Sequence, residues 1–469
     1  MSKVVDSAAT AVADIADGAT LMVGGFGVIQ GWPASLLRAL RERGSRDLTL
    51  ICNTPGVGPT STQPLAENGQ IARIVASYVA YPSRRTPIEE GVKNGSIAFE
   101  LAPQGTLIER VRAGGAGLAA FYTPTGVGTR VAEGKEIREF DGRPHLLETA
   151  LRADFAFVRA WRADPYGNLV YRGGGRNYNP IVAMGARVTI AEVDEVVPVL
   201  DPESVVTQGV FVDRVVRCEQ PLDTQALRQL SLKFGKSWDL EVRERAIGPR
   251  GIPPDLMARK AALLLGAGEY VNLGLGLPTL VSSHVEPARR ITLHSENGML
   301  GFGPLATEGE ADIHFYNASG QLVRMLEGAS FADSCTAFAM VRSGRVSTVV
   351  LGGFQVSETG DLANWNVPKT GIGGIGGAMD LASGEARIIV LMFHLTREGE
   401  PKLVERCTYP LTAARCVSTI VTDLAVVDVD TEGFVLREVA PGVSVDEVRQ
   451  VTGAPLRVAG DVREMEFAS

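Results

Sequence analysis

The chain has 469 residues, more than one hydrophobic core usually supports, so two or three domains are expected. Hydrophobic residues make up 45% and charged residues 21%, the balance of an ordinary soluble globular protein. A formal net charge of -8 leaves no footprint for nucleic acid or an anionic membrane, although a site can still be locally positive or lined with backbone amides.

The opening stretch Met1-Ser2-Lys3-Val4-Val5-Asp6-Ser7 has neither a long apolar core nor a cleavage signal. No run of about 18 apolar residues follows, so a cytoplasmic protein without a membrane span is expected. The first apolar run, Thr20-Leu21-Met22-Val23, ends in Gly24-Gly25-Phe26-Gly27, and a helical pattern follows from Pro33 to Leu40. Between the halves, residues 219–252 lose the strand alternation and finish at Gly251-Ile252-Pro253-Pro254, like a linker with a partly helical middle. A helix from Asp255 to Leu265 opens the second half. Next, Tyr270-Val271-Asn272-Leu273 ends in Gly274-Leu275-Gly276-Leu277-Pro278 and again leads into a helical stretch.

Strand, glycine turn and helix in that order imply parallel sheets flanked by helices. The two units lie about 250 residues apart, roughly half the chain. Asp17-Gly18-Ala19-Thr20 and Ala267-Gly268-Glu269-Tyr270 precede them in the same way. The fold class read from this is α/β: two related domains in tandem, 1–218 and 253–469, each with a largely parallel sheet flanked by helices.

Several residues are candidates for chemistry. Gly25-Phe26-Gly27-Val28-Ile29-Gln30 begins like a GxGxxG fingerprint but does not complete it. Two readings fit these glycines: amides at a helix N-terminus facing an anionic or carbonyl ligand, or a tight turn needing glycine for close packing. The β-type run Arg290-Ile291-Thr292-Leu293-His294 leads into Ser295-Glu296-Asn297-Gly298. Glu296 would therefore lie at the carboxyl end of a strand, where open α/β sheets place ligands. Taken alone, a glutamate is far more often a solvated surface residue.

A third cluster, Gly371-Ile372-Gly373-Gly374-Ile375-Gly376-Gly377-Ala378-Met379-Asp380, precedes a strand-like run from Ala386 to Met392 and reads as a fixed loop whose amides approach a ligand. The histidines show no HxxxH or HExxH spacing, so no metal is expected. GxSxG and phosphate-loop motifs are absent. Five dispersed cysteines point to a reducing compartment rather than a disulfide framework, and Cys335 reads as a packed core thiol.

At the glycine segments the sequence resembles the class I CoA-transferases, of the succinyl-CoA:3-ketoacid and 3-oxoadipate type. The first half resembles their A subunit through Gly24-Gly25-Phe26-Gly27, Pro103-Gln104-Gly105-Thr106-Leu107, Arg112-Ala113-Gly114-Gly115-Ala116-Gly117 and Phe121-Tyr122-Thr123-Pro124-Thr125-Gly126. The second half resembles their B subunit through Asn272-Leu273-Gly274, Ser295-Glu296-Asn297-Gly298, Gly360-Asp361-Leu362-Ala363-Asn364-Trp365 and Gly376-Gly377-Ala378-Met379-Asp380. These motifs follow the family's order over nearly the whole chain.

The resemblance implies a ping-pong CoA transfer with Glu296 as covalent nucleophile, passing through a glutamyl-CoA thioester, with acyl-CoA and carboxylic acid as substrates and no separate cofactor. It places the oxyanion and substrate contacts at Gln104, Asn53, Gly377 and Ala378. It places coenzyme A along Gly24, Gly25, Phe26 and Gly27 of the first half, and along Asn272, Gly274, Gly276, Asn297 and Gly298 of the second. The site is expected between the halves, in a homodimer or homotetramer.

The chain departs from the family at two places: Thr54 replaces the second of two adjacent asparagines, and Gly320 stands where relatives commonly carry lysine. Both bear on acid specificity or CoA contacts. A 3-oxo acid such as acetoacetate or 3-oxoadipate, with succinyl-CoA as donor, is the expected substrate pair, and Arg84, Arg85 or Arg176 are candidate partners for a second carboxylate. Two alternatives stand beside this: an acyl-CoA hydrolase on the same fold, and a metabolite sensor without catalysis.

Overall fold

Each half is organised by one short apolar strand placed inside a sheet that is covered on both faces. Thr20–Val23 and Tyr270–Leu273 occupy these positions, and in each the last three residues are buried. Parallel strands need crossover connections that cover both faces with helices, which is why their sequences read as continuous apolar runs. Thr348–Leu351, buried at all four positions, is the clearest case. The computed structural model describes residues 2–27, 31–80, 85–219, 251–368 and 373–467, with three isolated positions at 225, 228 and 229.

The first sheet runs, in spatial order, Arg214–Arg217, Ala186–Val196, Ala153–Ala163, Thr20–Val23, Leu48–Cys52, Ile71–Ala76 and Ala98–Leu101. Every neighbouring pair on this path is parallel. The second sheet has ten strands. Its middle, from Thr292–His294 through Tyr270–Leu273, Thr348–Leu351 and Arg387–Leu391 to Val417–Val421, is parallel. Antiparallel strands extend it on both sides. The expected fold class is therefore present: two α/β units with largely parallel sheets.

The repeat between the halves extends to the glycine turns. The N–H of Gly24 donates to Phe157 O at 2.8 Å, and that of Gly274 donates to Val350 O at 2.8 Å. In each half the first glycine continues the ladder before the chain turns away. Beyond the turn the halves differ. Ala34–Arg43 is an α-helix with the left-handed Gly44 (φ 81°) as its C-cap. The stretch after Gly276 is instead a 3-10 helix, Leu277–Ser283. That corrects the expected α-helix: Pro278 in its first turn and Ser282-Ser283 at its end shorten the run. The helix expected from Asp255 is Pro254–Leu263, and Cys335 lies buried on Ser334–Arg342.

Nearly all of the expected linker 219–252 lies outside the described residues, as do Val28-Ile29-Gln30, Arg84 and Gly371-Ile372. No helix among the described residues is long and apolar enough to cross a membrane.

Candidate functional site

Glu296 sits in the turn between Thr292–His294 and Met299–Leu305, at the carboxyl end of a parallel strand. The turn is closed by Ser295 N–H to Met299 O (2.9 Å) and Gly298 N–H to Ser295 O (3.0 Å). Gly298 has φ 96°, and a Cβ there would lie 1.9 Å from Ala332 O. Only glycine fits, because both the backbone angle and the space exclude a side chain.

The Glu296 side chain is 6% exposed, and its Oε2 has no hydrogen-bond partner. Burial without a cation raises its pKa to about 7. Close by in sequence, His294 is buried and held neutral, its pKa lowered to about 4 by desolvation. Its Nε2–H donates to Ala337 O (3.1 Å), and its Nδ1 accepts from Asn272 Nδ2 (3.0 Å). Asn272 thus reaches the site through His294. Asn297 donates from Nδ2 to Tyr316 O at 2.7 Å. Ser295 Oγ, Asn272 Oδ1 and Asn297 Oδ1 are buried without partners. Such a concentration of unmatched polar atoms is abnormal for a core and normal for a site that binds polar ligand groups.

The first half supplies the opposite wall. Gln104 opens the helix Gln104–Gly115, and its Nε2 donates to Asn53 Oδ1 at 2.8 Å. Asn53 follows the strand Leu48–Cys52 and also receives Ser77 Oγ–H at its side-chain oxygen (2.8 Å) and its carbonyl (2.7 Å). Its Nδ2 is left buried and unpartnered.

The glycine loop closes the junction. A Cβ on Gly377 would stand 3.0 Å from Gln104 Oε1 and 3.2 Å from Glu296 Oε1, so the two side chains flank this one glycine. A Cβ on Gly374 would fall 1.8 Å from the Tyr78 ring. Gly376 N–H donates to Ser77 O (3.1 Å), and Gly376 O accepts Gln104 N–H (2.9 Å). Residue 377 caps the short helix Ala378–Ala382, whose first N–H groups have no partner within the helix. Glu296, Gln104, Asn53, Gly377 and Ala378 are thereby brought to one junction of the two halves.

The first glycine turn is linked to it more indirectly. Gly24 packs on Asn179, where a Cβ would meet Oδ1 at 2.0 Å, and Gly25 (φ 118°) packs on Trp32. Phe26 is buried, its ring centroid 6.1 Å from that of Tyr178, whose hydroxyl donates to Gln104 O at 2.5 Å. Gly274 packs closely on Val350 and Leu351. Close packing therefore describes Gly24, Gly25 and Gly274, whereas Gly27 and Gly276 have positive φ and open space beside Cα. Thr54 donates to Gly27 O at 3.1 Å, holding that loop. Gly320 has φ 76° in an open turn.

Ser77, Tyr78 and Tyr178, which tie these pieces together, are not singled out by motif or spacing. They meet the site only through long-range packing. Arg85 is exposed. Arg176 is half-buried, with Nη1 donating to Phe331 O at 2.8 Å, and Phe331 pairs with Met299.

An ionisable carboxylate, buried without a counter-ion beside free amide N–H groups, suits attack on an activated carbonyl. A burial-raised pKa near 7 predicts that kcat/KM for an acyl-CoA falls about tenfold per pH unit below about 7 and levels off above it. A flat profile between about pH 5.5 and 7.5 would show that ionisation of Glu296 does not limit the reaction.

This arrangement defines an acyl-transfer enzyme of the CoA-transferase class. The chain belongs to the coenzyme A transferase family, whose pattern matches residues 5–217 and 255–450. It is 42% identical over 482 residues to the human mitochondrial succinyl-CoA:3-ketoacid coenzyme A transferase 2, covering 97% of this chain and 90% of that one. A match of 46% identity over 218 residues joins the first half to one of the two kinds of polypeptide that make up the 3-oxoadipate CoA-transferase of Pseudomonas putida, covering 46% of this chain and 94% of that polypeptide. An acyl-CoA transferase of Escherichia coli O157:H7, solved as a thioester complex with CoA, superposes with a TM-score of 0.78 at 21% identity over 99% of this chain and 95% of that one, which shows the shared fold.

Proposed function

We propose that this enzyme moves coenzyme A from succinyl-CoA to a 3-oxo acid through a glutamyl-CoA thioester on Glu296. The observation that carries the residue assignment is the buried, unpaired Glu296 carboxylate facing Gln104 across Gly377. A Glu296 oxygen attacks the thioester carbon and the CoA thiolate leaves, giving a mixed anhydride. The thiolate then attacks the glutamyl carbonyl carbon, the first acid leaves as its carboxylate, and CoA stays bound as a thioester. The acceptor carboxylate runs both steps in reverse. Thioester-level energy is kept throughout, so the scheme calls for neither ATP nor a metal.

Each attack produces an oxyanion. The N–H groups of Gly377 and Ala378 are the donors proposed for it, supported by the position of residue 377 beside Glu296 Oε1. Gln104, held by Asn53, orients the carboxylate or carbonyl. Gly24, Gly25, Phe26 and Gly27 shape one wall for coenzyme A, and Asn272, Gly274, Gly276, Asn297 and Gly298 the other. Thr54, by holding Gly27, and Gly320 adjust the fit of acid and CoA. The two halves, 1–218 and 253–469, act as one catalytic unit.

The succinyl-CoA and 3-oxo acid reading rests on the names of the relatives at 42% and 46% identity. A homodimer or homotetramer is part of the reading, and the exposed Tyr166, Val199 and Val210 offer apolar surface for it. Free cysteines support a reducing compartment such as the cytoplasm.

With succinyl-CoA as donor, acetoacetate or 3-oxoadipate should be converted to its CoA ester with kcat/KM at least about tenfold above that of butyrate, which lacks the oxo group. Acceptor-independent release of free CoA at the same rate would overturn transfer in favour of hydrolysis.

A further inference from the structure

We propose that Asp380 is the positioning residue of this site: its carboxylate clamps the first turn of the Gln104 helix, in the other half of the chain, so that the Gln104 amide and the 377–378 amides are held over Glu296. This rests on the site assignment above and adds a residue to it. Asp380 Oδ2 accepts the Gly105 N–H at 2.7 Å, and Oδ1 accepts Thr106 Oγ1–H at 2.9 Å. Both donors belong to Gln104–Gly115, while Asp380 lies on Ala378–Ala382. The same two segments are joined by Gln104 N–H to Gly376 O (2.9 Å), so three hydrogen bonds cross between them within a few residues.

The approach is built for closeness. A Cβ on Gly105 would lie 2.8 Å from Asp380 Cγ and 2.6 Å from Phe338 Cγ, so the carboxylate reaches the helix only because residue 105 is glycine. Asp380 is fully buried. Burial lifts its pKa to about 6, against the pull of Arg342 and of the Gly105 and Thr106 hydrogen bonds, so it is ionised at pH 8. An anion there also faces the positive end of a twelve-residue helix. Asp380 does not contact the reacting atoms in this reading. It sets the distance between Gln104, contributed by the first half, and Glu296, contributed by the second.

A double-mutant cycle on the full chain at pH 8 tests this, using succinyl-CoA and acetoacetate, with Asp380→Ala, Asp380→Asn, Gln104→Ala and the Asp380→Ala/Gln104→Ala pair. Asp380→Ala is expected to lower kcat about 30-fold or more, with KM for the acyl-CoA changed less than about threefold, as misplacement of a catalytic group does. Asp380→Asn keeps an oxygen for Gly105 N–H and should recover at least tenfold of that loss. In the Gln104→Ala background the Asp380→Ala effect should shrink to about threefold or less, because residues acting as a unit are not additive. Full additivity, or a loss carried by KM, would overturn the positioning role. A wild-type enzyme that forms no CoA adduct would instead sink the Glu296 reading itself, and the two failures are therefore distinguishable. Should Asp380→Ala not fold, the cycle with Asp380→Asn in its place gives the same decision.

Discussion

Glu296→Gln should lower the transfer rate at least about 10⁴-fold, the scale seen when a covalent nucleophile is removed. The same substitution should stabilise the folded protein at pH 8. The folded-state pKa of Glu296 is raised from 4.5 to about 7 by burial, so its ionised form is disfavoured in the folded state. Below about pH 4.5 the carboxyl is neutral in both folded and unfolded chains, and the substitution should change stability little. Between pH 4.5 and 7 the unfolded chain ionises first, so stability is progressively lost, and above about 7 the penalty is complete. A shift of this size corresponds to about 3 kcal/mol. Thermal unfolding of both proteins at pH 4.5 and 8 checks it: a gain present only at the higher pH is expected. An equal effect at both would mean that Gln changes packing rather than relieving a buried charge.

Gly298→Ala should have the second largest effect. Its φ of 96° is costly for any L side chain, and the added Cβ would meet Ala332 O at 1.9 Å. Neither can relax alone, because Gly298 O also accepts Ala332 N–H at 2.8 Å, tying the turn to the neighbouring strand. The turn must be rebuilt, at a cost of about 2–4 kcal/mol. Displacing Glu296 by about 1 Å is enough to lose at least about 10²-fold in turnover. Gly268→Ala is the control: it also has positive φ (76°) but nothing within 4 Å of its Cβ, and it lies away from the site. It should lose some stability and keep turnover. Normal activity in Gly298→Ala would show that the turn does not set the position of the carboxylate.

The architecture is legible through local signals. Apolar runs closed by glycine at 24 and 274 mark both strands and both turns, since a strand entering a tight turn leaves its mark within a few residues. The stretch after Gly276 reads as an α-helix, yet Pro278 and the serines permit only a 3-10 turn, a distinction periodicity does not make. At the site, Glu296 is legible as a strand-end carboxylate, and family resemblance brings Gln104, Asn53 and Gly377 to it. How the halves are fastened is hidden. Ser77 on Asn53, Tyr178 on Gln104 O and Asp380 on Gly105 join residues 24, 74 and 275 positions apart. Contacts of that range leave no spacing to read. The packing role of Gly24 is likewise one of two open readings in the sequence, and only Asn179 packed against it decides between them.

Intact-mass measurement of the wild-type enzyme after addition of succinyl-CoA, beside Glu296→Ala, tests the covalent role of Glu296 most directly. The expected result is a CoA-sized adduct on the wild type alone, discharged by acetoacetate or another acceptor carboxylate. Turnover with no adduct on the wild type, or an equal adduct on Glu296→Ala, would contradict it.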